Sequence, residues 1–99
     1  MVTEESVLES IKEIIDPEIG INIVDMGLIY GVDIDDTTVD ITMTLTSAGC
    51  PAGGQIINGT QHVTQQMDGV EEVNVSVVWT PRWTPEMMSE DAKDELGIF

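Results

Sequence analysis

The groups in this chain that could do chemistry are one thiol, one imidazole and a short run of carboxylates. Cys50 stands in Thr46-Ser47-Ala48-Gly49-Cys50-Pro51, after a strand-like run and before a helix-like one. Unpaired backbone N–H groups and the positive end of a helix dipole converge at such a place. Both favour the thiolate, which is the form that attacks electrophiles and binds metal. A lone cysteine is as commonly a small buried hydrophobe, so position alone leaves both readings open. His62 follows 12 residues later on the same expected helix. At about 1.5 Å per residue that is nearly 18 Å away, too far to share a metal within one chain, and a solvated histidine is the better reading. Asp16, Glu18 and Asp25 fall between the first helix and the first strand. Paired carboxylates can be acid–base groups or hard metal ligands, but with 19 acids in the chain chance proximity explains them as readily. The segment 79–89 holds Trp79, Arg82, Trp83, Met87 and Met88. That composition suits a partner-binding surface, or a stiff loop whose Trp83 and methionines cap the core.

The elements that position these residues follow from periodicity. Val7, Leu8, Ile11, Ile14 and Ile15 form one stripe at helical spacing over 3–15. Thr3 or Ser6 serves as cap, and Asp16-Pro17 is the stop. Leu28, Tyr30, Val32 and Ile34 alternate with Ile29, Gly31, Asp33 and Asp35, and Val39, Ile41, Met43 and Leu45 alternate with Asp40 and threonines after the turn residues 35–37, which predicts a β-hairpin. Val73, Val75, Val77 and Trp79 give a third strand. Each strand is apolar on one face, so helices should cover one side of the sheet. Pro51 opens a helix over 51–67 with Ile56, Val63 and Met67 inward, and Gly53, Gly54 and Gly59 each weaken it by up to about 1 kcal/mol. A last helix is expected over 85–95 with Thr84 as its cap. The prediction is a single domain over residues 1–99 of α+β class. It has two layers, a three-stranded, mainly antiparallel sheet with helices on one face, and the order α-β-β-α-β-α.

Charge narrows the function by exclusion. The net charge is −16, with 19 acids against three bases, Lys12, Arg82 and Lys93. Nucleic-acid binding runs on Lys and Arg neutralising phosphates, and an anionic membrane surface would repel this chain. No apolar run approaches the roughly 20 residues of a membrane span, and the acidic start lacks the regions of a signal peptide. A cytoplasmic protein is expected. One cysteine excludes an internal disulfide and, within one chain, four-thiolate zinc or iron–sulfur sites. So many acids with so little lysine match a halophilic surface, where salt screens self-repulsion.

Five ordered blocks carry a resemblance. They are Asp16-Pro17-Glu18-Ile19-Gly20, Val24-Asp25-Met26-Gly27-Leu28-Ile29-Tyr30, Met43-Thr44-Leu45-Thr46, Gly49-Cys50-Pro51 and the segment 79–89. Together they resemble the metal–sulfur cluster biosynthesis family, once catalogued as domain of unknown function fifty-nine, whose members include the SufT and PaaD proteins and the eukaryotic cytosolic iron–sulfur targeting factors. The resemblance implies a small α+β domain acting in iron–sulfur cluster assembly or delivery, an accessory protein and not an enzyme. It matches the family's cysteine to Cys50, its acidic pair to Asp16 and Glu18, its Val-Asp-x-Gly aspartate to Asp25, and its threonine to Thr46. It implies that Asp16, Glu18, Asp25 and Thr46 surround the thiol. The chain ends at Phe99 without the cysteine-rich extension of PaaD proteins, which favours the SufT-like branch.

One thiolate cannot hold a cluster securely, since clusters normally take four cysteine ligands. A labile cluster or iron is therefore expected, shared through Cys50 with a second subunit or a partner. The partners would be client apo-proteins and other assembly proteins, with no nucleic acid and no membrane. An alternative is a metal-free adaptor that docks clients through residues 79–88. A thiol enzyme with Cys50 as nucleophile and Asp16 or Glu18 as acid–base group lacks a histidine at plausible spacing.

Overall fold

The computed structural model describes residues 2–17, 19–46 and 53–97. The first helix, α1 (Glu4–Ile11), opens on a capping box: the Thr3 side chain accepts from Ser6 N–H (3.1 Å), and Ser6 Oγ accepts from Thr3 N–H (2.9 Å). Both expected caps thus belong to one device. Val7 and Ile11 are buried, but the helix ends four residues before the expected Ile15. The amides of Glu13 and Ile14 donate to Ser10 and Ile11 carbonyls, one residue short of the α pattern. Ile15 instead pairs with Asn22 in an isolated antiparallel bridge and is 54% exposed.

Strands β1 (Ile29–Asp35) and β2 (Thr38–Met43) form the expected hairpin. Its turn holds Asp36 at φ 57°, a conformation that Asp tolerates better than most residues. Strand β3 (Glu72–Val77) lies on the other side of β2. The order α-β-β-α-β-α and the two-layer α+β class are those expected. Of the two strand pairings, β1–β2 is antiparallel and β2–β3 parallel, so the sheet is mixed. The parallel pair needs a crossover, and α2 (Gly53–Gln65) supplies it.

The inward rows of the sheet are Val32 and Ile34, then Val39, Ile41 and Met43, then Val73, Val75 and Val77, as the register pairs them. They meet Val7 and Ile11 of α1, Ile56 of α2, and Ile21, Ile23, Met26 and Leu28 from the segment ahead of β1. The buried stripe of α2 is Gly53, Ile56, Thr60 and Thr64; the expected Val63 and Met67 are half-buried. Buried threonines are tolerated here because each hydroxyl donates to the carbonyl four residues back, Thr60 to Ile56 and Thr64 to Thr60, both at 2.8 Å. The expected last helix divides into a 3₁₀ turn, Pro85–Met87, and α3 (Glu90–Leu96). Ser89, not Thr84, provides the side-chain cap, accepting from Ala92 N–H at 3.2 Å.

Candidate functional site

The residues between α1 and β1 fold into a closed system of turns. Asp16 N–H donates to Ile21 O (3.0 Å), Gly20 N–H to Asp16 O (2.7 Å), and Ile23 N–H to Ile14 O (2.9 Å). Asp16 is 1% exposed, the one buried acid among the described residues. Burying a carboxylate is costly unless it is partnered, and Asp16 is engaged. Asp25 is held by Asn22 from two directions. Asn22 Nδ2 donates to Asp25 Oδ2 at 2.7 Å, and Asp25 N–H donates to Asn22 Oδ1 at 2.9 Å. Asn22 also pairs with Ile15, so Asp16 and Asp25 belong to one hydrogen-bonded unit. Asn22 was not legible as a site residue, although an Asn three positions before an Asp is a recognisable turn former.

That unit is joined to the end of β2. Leu28 N–H donates to Ile23 O (3.1 Å), and Leu28 O accepts from Thr44 N–H (2.8 Å). Thr46, half-buried, lies two residues further along. Cys50, Glu18 and Pro51 lie outside the described residues. His62 is exposed on α2, beside Ser10 and Glu13 in a shallow groove. Among the described residues there is no group of three or more His, Cys, Asp or Glu placed to hold a metal.

The tail segment is seated on the same turns. The Trp83 indole N–H donates to Met26 O at 2.7 Å, and Ser89 N–H donates to Asp25 O at 2.8 Å. Tyr30 Oη donates to Pro81 O at 2.8 Å and lies 3.5 Å from Met87 Sδ. Gly27, at φ 80°, faces the Met87 backbone so closely that a Cβ would fall 2.8 Å from its carbonyl carbon. The second and fifth sequence blocks are thus the two halves of one contact. This corrects the expected partner surface: Met88 is 5% exposed and belongs to the core. Trp83 and Met87 are half-buried against their own chain, while Trp79 and Arg82 are exposed.

Comparison with known proteins bears on the family and the fold. Residues 4–77 match the family model described as iron–sulfur cluster assembly protein. The chain is 48% identical over 86 residues to the Fe-S protein maturation auxiliary factor SufT of Staphylococcus aureus, covering 86% of this chain and 98% of the relative. It is 41% identical to the Fe-S protein maturation auxiliary factor YitW of Bacillus subtilis, covering 96% and 94%. A crystal structure of the domain of unknown function fifty-nine from Bacillus anthracis superposes with a TM-score of 0.91 at 43% identity, covering 97% of this chain and 92% of that one. The chain therefore belongs to the iron–sulfur cluster assembly protein family.

Proposed function

We propose that this protein is an accessory factor in iron–sulfur protein maturation, carrying or targeting a labile cluster or iron to client apo-proteins through Cys50. The observation that supports it most is that the family match over residues 4–77 encloses the only thiol of the chain. The cluster is cargo. A single thiolate leaves most cluster positions to other ligands, supplied by Cys50 of a second subunit, by small thiols or by the recipient. Incomplete ligation suits a carrier, which has to release what it binds. The rigid turns around Asp16 and Asp25 and the neighbouring Thr46 would give the thiol a fixed polar setting. The test is anaerobic reconstitution with iron and sulfide, read by visible charge-transfer absorption. Wild type should develop the absorption and Cys50→Ser should lose nearly all of it; equal iron uptake by both would overturn the ligand role.

A metal-free adaptor role has one observation in its favour: Trp79 is 48% exposed, and Arg82, three residues on in the chain, is exposed too. Trp79→Ala should weaken binding to an apo iron–sulfur protein at least about tenfold, in line with an interfacial tryptophan, and leave reconstitution unchanged. Unaltered binding by Trp79→Ala would remove this reading. Trp83→Ala is a poorer probe, because its indole holds Met26 in place.

A further inference from the structure

Helix α1 presents a second surface, apart from the seat of the tail segment on the turns at 25–27. Glu4, Glu5, Leu8, Glu9 and Lys12 share one face at spacings of three and four residues, and with Val24 they line an open groove of about 450 Å³. Leu8 and Val24 form its apolar floor; both are half-buried and rest on the core beneath. The rim is acidic, and Glu9 binds the single base, Lys12, at 3.4 Å. Glu4 and Glu5 therefore face the groove without a cation among the described residues. Both walls are fixed before anything binds, α1 by its capping box and Val24 by a turn in which its carbonyl accepts from Gly27 N–H at 3.0 Å. Little ordering would be needed on the protein's side. Val24 also precedes Asp25, so the groove opens directly beside the turns of the candidate site.

We infer that this groove docks a basic amphipathic segment of a partner protein, an apolar side chain seating on Leu8 and Val24 while flanking Lys or Arg meet Glu4, Glu5 and Glu9. Charge complementarity commits the occupant: an acidic rim steers and orients a basic partner, and the apolar floor supplies the contact that salt does not screen. The inference rests on the maturation reading only in taking the partner to be a client or assembly protein. Binding here needs no iron, so its failure would leave the role of Cys50 standing.

The test uses the full-length protein and two synthetic peptides of equal positive charge, one built of Leu and Lys and the other of Ser and Lys, titrated by fluorescence anisotropy. The Leu/Lys peptide should bind at least tenfold more tightly than the Ser/Lys peptide. Glu5→Gln with Glu9→Gln should weaken it about tenfold. Asp33→Asn with Asp35→Asn, which removes the same charge from exposed sites on β1, should weaken it less than twofold. Equal losses in the two double variants would mean that only bulk charge attracts the peptide. Such a result, equal binding of the two peptides, or no loss in the α1 variant would each overturn the inference.

Discussion

Gly27 shows that a residue within a sequence block can serve placement and not chemistry. Its φ of 80° and the Met87 backbone against it both exclude a side chain. Gly27→Ala should therefore cost at least about 2 kcal/mol, or about 10 °C in melting temperature for a domain of this size, measured by circular dichroism. A variant as stable as wild type would show that the turn and tail are not locked together. Legibility at this scale was uneven. Asp16, Asp25 and Thr46 are singled out only through the family resemblance, because among 19 acids residue type alone does not mark the two aspartates. The partners that give them their setting could not be named at all, since Asn22 reaches Asp25, and Trp83 reaches Met26, through folding that no local spacing encodes. Met88 was misread for a related reason: a methionine in a Trp- and Pro-rich segment looks the same in sequence whether it faces water or the core.

The elements were read well wherever one period governed them. The alternation of β2 and β3 is observed over Thr38–Met43 and Glu72–Val77, short of the expected Leu45 and of Trp79, which is exposed; the turn narrows to 36–37, and the Thr3/Ser6 cap is present. Period two, however, says nothing about strand direction. The parallel β2–β3 pair follows from the intervening α2, because strands joined through a helix that packs on the sheet run the same way. The helical stripe of α1 continues into Ile14 and Ile15, yet the chain leaves the helix after Ile11. There the bridge between Ile15 and Asn22 and the hydrogen bond from Asp16 to Ile21 take over the backbone. In α2 the apolar stripe pointed to Val63 and Met67, while the buried positions are Thr60 and Thr64, whose hydroxyls are satisfied within the helix. At Gly59 a Cβ would sit 2.9 Å from Ile14 Cδ1, the far end of a side chain that can move aside, so packing does not require glycine there.

Over the whole molecule the acids are arranged with little regard for their own repulsion. Asp33 lies directly opposite Asp40 in the hairpin, and Asn74 donates to both Asp40 (2.9 Å) and Glu72 (3.1 Å) on the same outer face. Like charges across a strand pair destabilise it, and salt relieves them: the screening length falls from about 10 Å at 0.1 M to 3 Å at 1 M. The melting temperature should rise by about 10 °C or more between 0.1 and 2 M KCl, and Asp33→Asn should narrow that rise by stabilising the low-salt state. A melting temperature independent of KCl would show that the charge of −16 exerts no net strain on the fold. On the function proposed above, the charge would concern folding and the choice of partner, and the cargo would depend on Cys50. A native mass measurement on wild type and Cys50→Ser, both reconstituted without oxygen, reads iron, sulfide and subunit number together. Wild type should carry an iron and sulfide adduct, on one chain or bridging two, that Cys50→Ser lacks; the same adduct on both proteins would contradict a cargo held through Cys50.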